Sequence, residues 1–319
     1  MSTPFTQQVS EQIKQAISEK RTLQVAGSRS KVPVEAEAEL ICMQENSGIV
    51  AYEPSELVVT VKSGTKLTDL KAALAEHNQM LGFEPPDYGD STIGGTYACA
   101  LTGPSRPFRG VLRDFVLGTK MVDGRGQELT FGGQMIKNVA GYDVSRMMAG
   151  SKGSMAVVTE LSLRVIPLVD EVTYYKEMSE DEAIVLMNKM AGTTLPLSGC
   201  AYFEGRFYYR VFGEHPKQYD ATPCDNSVWL TLNPFQPKLG HNQKLWRVDT
   251  EGPHPSIPNT IAVGMCGQRR WVVSDEPPAP YSTLWQSYFA ARHNDTPAIS
   301  RIKSGLKRVF DPHNVFKDL

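Results

Sequence analysis

Apolar and polar positions in the first half of the chain alternate between helical and extended patterns. Apolar residues three and four positions apart predict amphipathic helices over residues 6–19 and 65–78. Shorter apolar runs, with strict alternation in the last of them, predict strands at residues 22–26, 48–52, 57–62 and 157–166. The first half is therefore predicted to mix helices with strands.

Turn residues add a hairpin to this half. Val116–Val122 and Glu128–Phe131 flank the segment Asp123-Gly124-Arg125-Gly126, which carries the glycines that tight turns need. The short segment Gly141–Met148 is predicted to be helical and to end at Gly150.

Patterns in the second half are weaker. They predict a helix over 180–190 and strands at 200–212, 228–232 and 261–273. An apolar stripe of Ile302, Leu306 and Val309 predicts a terminal helix around 300–310 that ends at Asp311-Pro312.

Chain length predicts more than one domain, because 319 residues exceed the usual size of a single core. Pro167 stops the last strand of the first half. We therefore predict a first domain of residues 1–168, a smaller second domain of residues 169–299, and a C-terminal helix and tail of residues 300–319.

The composition argues against several classes of protein. A formal net charge of −2 provides no general attraction to nucleic acid or to an anionic membrane. Five widely spaced cysteines without a CxxC pair argue against zinc, an iron–sulfur cluster or a disulfide framework, so no metal site is predicted. The first twenty residues are polar and amphipathic, without the apolar core typical of a signal peptide, and no apolar run is long enough for a membrane span. We expect a cytoplasmic protein whose membrane association, if any, goes through partner subunits.

Glycines concentrate in one region. Fourteen of the 26 glycines lie between Gly82 and Gly153, where an even spread would put about six. Glycine serves turns with positive φ and places where a ligand approaches the main chain. The number of glycines by itself is explained by a turn-rich β region. The local motifs must therefore distinguish that explanation from a ligand-binding site.

Two loops in this pattern can bind an anion. Gly27 to Lys31 follow a predicted strand with small hydroxylated and cationic residues, typical either of a phosphate-binding nest or of a solvated turn. Ser91 to Gly95, after Pro85-Pro86, put two adjacent glycines beside hydroxyls, where successive N–H groups can face a pyrophosphate. Ala98 and Gly103 continue the small-residue pattern, which suits a flat prosthetic group. Neither GxGxxG nor GxxxxGK[ST] occurs.

Longer segments carry a resemblance. The chain contains EPPDYGDSTIGG, GPSRPFRGVLRDFVLGTK, FGGQMIKNVAGYDVSRMMAGSKG and VVTELSLRVIP. These segments resemble the FAD-binding domain of the vanillyl-alcohol oxidase and para-cresol methylhydroxylase (PCMH-type) superfamily, and within it the FAD-binding E subunits of glycolate oxidase. The similarity is dense over residues 20–167 and returns in RIKSGLKRVFDPHNVF. The chain departs from the pattern in keeping only Gly27 in the first loop and in lacking Asn-Pro-Gly after Phe316.

The resemblance implies an α+β fold: a PCMH-type FAD-binding domain of two subdomains, followed by a smaller α+β cap domain with an antiparallel sheet and helices. It implies FAD as the cofactor, bound non-covalently, since Cys99 is the one cysteine and no histidine occurs between Gly82 and Gly153. The cofactor-binding residues that it implies are Gly27, Ser28, Arg29, Ser30, Lys31, Pro86, Ser91, Thr92, Ile93, Gly94, Gly95, Ala98, Gly103, Arg106, Arg109, Tyr142, Gly150, Gly153, Val157 and Val158.

Some of these assignments have alternatives. Arg106, Arg109 and Arg113 suit a pyrophosphate, but a solvated surface or a partner contact explains them equally well. Tyr142 either touches the flavin or starts a packed helix.

The implied function is that of an FAD-binding subunit of a multi-subunit glycolate oxidase, which oxidises glycolate, a small 2-hydroxy acid, to glyoxylate. None of the six histidines stands in the His-rich motif that related enzymes carry in the second domain, so no catalytic residue is assigned. We expect a second flavin subunit to carry the hydroxy-acid chemistry and an iron–sulfur subunit to take the electrons. The alternatives are an autonomous FAD oxidoreductase acting on another small alcohol or hydroxy acid, and a structural subunit that has lost FAD.

Overall fold

The computed structural model describes residues 3–34, 38–133, 143–213, 219–240, 243–250, 256–278, 282–284 and 296–318. The chain divides into two compact units. The first unit comprises Met1–Leu101, Val111–Pro167 and Arg292–Leu319, and the second comprises Thr102–Gly110 and Leu168–Ala291. A short segment inside the predicted first domain thus packs with the second unit, and the C-terminal residues pack with the first.

The first subdomain of the first unit packs one helix on two parallel strands. Helix α1 (Pro4–Glu19) begins after Thr3, whose hydroxyl accepts the Thr6 amide at 3.2 Å. Strands β1 (Leu23–Ala26) and β2 (Glu39–Cys42) pair in parallel. The buried face of the helix contributes to a core formed by Val9, Ile13, Ala16, Leu23, Ile41, Met43, Val122, Val157, Val315 and Phe316.

The second subdomain is built on an antiparallel sheet. Its strands, with one short pair outside the sheet, are β3 (Ile49–Glu53), β4 (Val58–Lys62), β5 (Gln79–Met80), β6 (Val116–Asp123), β7 (Glu128–Gly132), β8 (Ala156–Arg164) and β9 (Ile166–Pro167). The sheet has the order β3-β4-β8-β6-β7, and β5 pairs with β9. The helices between these strands are α2 (Leu67–Ala75), α3 (Ile93–Ala98), α4 (Arg106–Arg109) and α5 (Val144–Met147), of which α4 belongs to the second unit.

The second unit contains an antiparallel sheet of eight described strands. Its elements are β10 (Glu171–Glu177), α6 (Glu180–Ala191), β11 (Leu197–Phe203), β12 (Arg206–Phe212), β13 (Thr222–Cys224), α7 (Val228–Leu232), β14 (Leu245–Asp249), β15 (Thr260–Gly264), β16 (Arg269–Val273) and β17 (Ser282–Leu284). The strand order is β13-β10-β12-β11-β15-β16-β14-β17. Helix α6 starts in a capping box in which Ser179 and Glu182 exchange hydrogen bonds.

The C-terminal residues are held in the first unit by a buried carboxylate. Helix α8 (Pro297–Phe310) ends at Asp311, whose two carboxylate oxygens accept the amides of Val315 and Phe316, each at 2.9 Å. Lys307 pairs with the same carboxylate at 2.8 Å. The Asp311 carboxylate therefore fixes the residues that follow α8 to the first unit.

The α+β fold class is confirmed, and three predictions of elements need correction. Residues 228–232, predicted as a strand, form the helix α7: Val228, Trp229 and Leu232 pack in one cluster at helical spacing, while Leu230 stays 77% exposed. Residues 200–212 are two strands, since Glu204 and Gly205 adopt φ values of 50° and 76° and make a tight turn. Residues 261–273 are likewise two strands, separated by a short turn.

Within the described residues, no helix is both long and apolar enough to cross a membrane. The same residues contain no group of three or more acidic, histidine or cysteine side chains that could hold a metal ion.

Candidate functional site

A cleft lined by glycines and by small or apolar side chains lies within the first unit. The lining residues come from the ends of β1, β2 and β4, from α3, and from β8 and the loop before it. They are Val25, Gly27, Met43, Ser63, Gly94, Gly95, Tyr97, Ala98, Ser151, Lys152, Gly153, Ala156 and Val158. Six of them belong to the predicted cofactor-binding set: Gly27, Gly94, Gly95, Ala98, Gly153 and Val158.

The loop after β1 presents main-chain donors. The amides of Ser28, Arg29 and Ser30 make no hydrogen bond to any other residue that the structure describes. Arg29 has a φ of 61°, so its backbone is left-handed, as in the nests whose N–H groups converge on an anion. A Cβ on Gly27 would lie 2.5 Å from the Thr92 hydroxyl oxygen, so this turn needs a glycine. The loop fits the phosphate-binding prediction.

A lysine and a serine join this loop to the second predicted loop. The Lys31 ammonium donates to the buried Ser91 hydroxyl oxygen at 2.9 Å, and the Tyr88 amide donates to the same oxygen at 3.0 Å. Ser30 lies 3.4 Å from Ser91, hydroxyl to hydroxyl. Burial lowers the pKa of Lys31, although the carboxylate of Asp87 acts in the opposite direction. A half-buried cation whose charged form is disfavoured gains by meeting an anion.

The second predicted loop differs from the expected turn of bare amides. Thr92 is the N-cap of α3, and its hydroxyl accepts the Gly95 amide at 3.1 Å. The Ile93 amide donates to the Thr65 carbonyl at 2.9 Å, and the Gly94 amide to the Ser63 carbonyl at 2.7 Å. These three donors are used within the fold. The first loop, in contrast, carries three successive amides that make no hydrogen bond to any described residue.

The two adjacent glycines have different roles. A Cβ on Gly94 would lie 2.6 Å from the Ser63 carbonyl oxygen, so close packing of α3 on the end of β4 requires glycine there. A Cβ on Gly95 would meet only the Thr92 hydroxyl at 3.1 Å and the Lys31 ammonium at 3.8 Å. Because Gly95 has no side chain, space remains in the cleft beside Lys31.

The loop before β8 also lines the cleft. The Lys152 amide donates to the Ala98 carbonyl at 2.9 Å, and burial lowers the pKa of its ammonium. Gly153 has a φ of 78°, and a Cβ there would lie 2.9 Å from Val25. Burial raises the pKa of the Cys99 thiol to about 11, even though Lys31 and Lys152 act to lower it. Cys99 is thus a neutral thiol at pH 7.

Seven lining residues were not predicted from the sequence: Val25, Met43, Ser63, Tyr97, Ser151, Lys152 and Ala156. The signal for Lys152 was present, since it stands next to Gly153 in a glycine-rich turn. Ser63 directly follows β4 and precedes Gly64, whose Cβ would lie 1.8 Å from the Met43 carbonyl oxygen. A strand that ends in Ser-Gly can mark such a close approach of two backbones.

Other predicted residues lie away from the lining. Val157 is buried in the core beneath α1, and the Gly150 amide donates to the Tyr97 carbonyl at 3.1 Å. Pro86 is buried outside the lining, and Tyr142 lies outside the described residues.

Three further predicted residues, Gly103, Arg106 and Arg109, belong to the second unit. There the Arg109 guanidinium pairs with Glu171 at 2.5 Å and lies 4.7 Å from the centre of the Phe212 ring. Its side chain is 6% exposed, so this pairing anchors α4 to the sheet of its own unit.

Comparisons with known proteins agree with this geometry. The family described as FAD binding domain matches residues 5–132. Glycolate oxidase subunit GlcE of Escherichia coli (strain K12) is 38% identical over 285 residues, which cover 85% of this chain and 81% of that protein.

Two other relatives match a shorter part. D-lactate dehydrogenase of Anaerostipes hadrus is 34% identical over 130 residues, 40% of this chain and 27% of that protein. Glycolate oxidase subunit GlcD of Bacillus subtilis (strain 168) is 32% identical over 119 residues, 37% of this chain and 25% of that protein. Among solved structures, alkyldihydroxyacetonephosphate synthase shares the fold with a TM-score of 0.66 at 13% identity, covering 96% of this chain and 74% of that one.

Proposed function

Because this chain belongs to the family of glycolate oxidase subunit GlcE, we propose that it is the FAD-holding subunit of a complex that oxidises glycolate to glyoxylate. Its FAD-binding domain and its oxidoreductase relatives make it an FAD-dependent oxidoreductase subunit. The observation that carries the proposal is the set of unbonded amides at Ser28, Arg29 and Ser30 beside the Lys31 ammonium.

The residues of the cleft fit FAD. Its diphosphate carries negative charges, which suit a loop of free N–H groups and a half-buried lysine. The buried Ser63 hydroxyl, which has no hydrogen-bond partner among the described residues, offers one more donor. Apolar side chains of Val25, Met43 and Val158 offer the surface that a flat ring system needs. The cleft therefore offers donors for the diphosphate of FAD and apolar surface for its ring system.

Ser28 to Lys31 would hold the diphosphate, and Gly95 and Gly153 would leave room for it. When bound, FAD would supply a group that can accept and pass on electrons within the complex. The neutral Cys99 thiol, with a pKa of about 11, is a poor nucleophile at neutral pH and favours non-covalent binding. The chain's own residues thus bind and orient the cofactor and keep one face of the cleft apolar.

The hydroxy-acid chemistry is assigned to a second flavin subunit, and electron removal to an iron–sulfur subunit. Oxidation of glycolate needs a base for the hydroxyl proton close to the flavin. Of the two histidines that the structure describes, His77 packs edge-on against Tyr52 at 5.1 Å between ring centres, and His313 follows α8. Neither stands in the lining of the cleft. This supports a division of labour between subunits.

Purification of this chain with and without candidate partner subunits tests the proposal. We expect flavin absorption bands in the chain alone after reconstitution, and reduction of an artificial acceptor by glycolate only when the second flavin subunit is present. A folded chain without flavin bands would favour a structural subunit that has lost FAD. Robust glycolate turnover by the chain alone would favour an autonomous oxidoreductase.

A further inference from the structure

A buried hydroxyl in the cleft, that of Ser63, has no hydrogen-bond partner among the residues that the structure describes. Ser63 is 2% exposed, and its Oγ forms no hydrogen bond with any described residue. Its main chain is fully engaged: the amide donates to the Thr159 carbonyl at 3.0 Å, and the carbonyl accepts the Gly94 amide at 2.7 Å. A buried hydroxyl without a partner costs free energy, of the order of 1–3 kcal/mol, so such groups are rare in folded proteins.

Resting on the proposed function, we propose that the Ser63 hydroxyl is a ligand of the ADP half of FAD. Ser63 lies against Gly94, because a Cβ on Gly94 would come within 2.6 Å of the Ser63 Cβ. The neighbouring Gly95 lies beside the Lys31 ammonium, at 3.8 Å from a Cβ built there. Ser63 therefore stands on the side of the cleft that carries the cation and the free amides. An O–H donor there can bond to a phosphate oxygen.

The position of Ser63 is fixed by its backbone. Two main-chain bonds hold the residue, and Gly64 allows the chain to pass Asn46, whose carbonyl accepts the Gly64 amide at 2.9 Å. The Asn46 side chain in turn donates to the Thr159 carbonyl at 2.7 Å. A donor held in this way loses little conformational entropy when a ligand arrives.

Ser63→Ala separates a ligand role from a structural one. Removal of an unpartnered hydroxyl leaves the melting temperature of the FAD-free protein unchanged or raises it, whereas the affinity for ADP and for FAD falls about tenfold each, as for the loss of one hydrogen bond to a charged group. The control is Ser145→Ala, because the Ser145 hydroxyl already donates to the Phe131 carbonyl at 3.0 Å. That variant should lose stability in the FAD-free protein and keep its affinity for ADP.

Calorimetric titration of the FAD-free full chain with ADP and with FAD, together with thermal unfolding, decides the matter. Equal affinities of wild type and Ser63→Ala for both ligands would overturn the inference, as would a loss for FAD without a loss for ADP. A drop in the stability of FAD-free Ser63→Ala with unchanged affinity would show a structural hydroxyl. Wild-type protein that is folded but binds neither ligand would instead refute the proposed function.

Discussion

Gly95 provides the sharpest test of the cleft wall. The residue lies inside α3 without a positive φ, so alanine suits its backbone and favours the helix by about 1 kcal/mol. The added Cβ meets only the Thr92 hydroxyl at 3.1 Å, which offsets part of that gain. We expect the free energy of unfolding of FAD-free Gly95→Ala to stay within about 1 kcal/mol of wild type.

The same substitution should weaken the binding of FAD. Its Cβ stands 3.8 Å from the Lys31 ammonium, in the space that a phosphate needs when it bonds to this lysine. Loss of a hydrogen bond to a charged group costs about 1.5–3 kcal/mol, so FAD affinity should fall by about tenfold to a hundredfold. Gly95→Val, with two more methyl groups, should lower it further.

Fluorescence titration of the FAD-free protein with FAD measures the affinity, and circular dichroism at increasing denaturant measures stability. Gly192→Ala is the control, since a Cβ at this helix end meets nothing nearer than 3.6 Å and the residue lies in the second unit. Wild-type FAD affinity in both Gly95 variants would refute the assignment of this wall to the cofactor.

Three further predictions concern Gly94, Lys31 and Asp311. Gly94→Ala should destabilise the first unit severely, because its Cβ would stand 2.6 Å from the Ser63 carbonyl oxygen; wild-type thermal unfolding would contradict this. Burial places the pKa of Lys31 below the ordinary 10.5, and a bound diphosphate favours the protonated form. ADP affinity should therefore fall as pH rises above that lowered pKa, and Lys31→Arg should remove the fall in calorimetric titrations; identical pH profiles would refute it. Asp311→Asn should cost about 3 kcal/mol in denaturant unfolding, since a buried carboxylate loses its charge beside Lys307, and a change below about 0.5 kcal/mol would contradict this.

Local features of the fold could be predicted from the sequence. The turn from Asp123 to Gly126 predicts the hairpin of β6 and β7, because the Asp123 carboxylate can accept the amides of Arg125 and Gln127, as it does at 2.9 Å each. The loop of Gly27 to Lys31 is likewise readable from its residue types. Both features depend on neighbours in the sequence.

Features that depend on distant residues could not be predicted. The orphan hydroxyl of Ser63 arises only where α3 packs on the end of β4. The engagement of the Gly94 amide has the same origin, since its acceptor, the Ser63 carbonyl, lies about thirty residues earlier in the chain. Arg109 pairs with Glu171 across 62 positions, which draws its segment to the second unit. The assignment of donors within the site therefore needed the tertiary structure.

A crystal structure of the full chain with FAD would show directly whether the first loop holds the diphosphate. We expect diphosphate oxygens about 3 Å from the amides of Ser28 to Ser30 and from the Lys31 ammonium. FAD bound elsewhere, with those amides facing water, would contradict it.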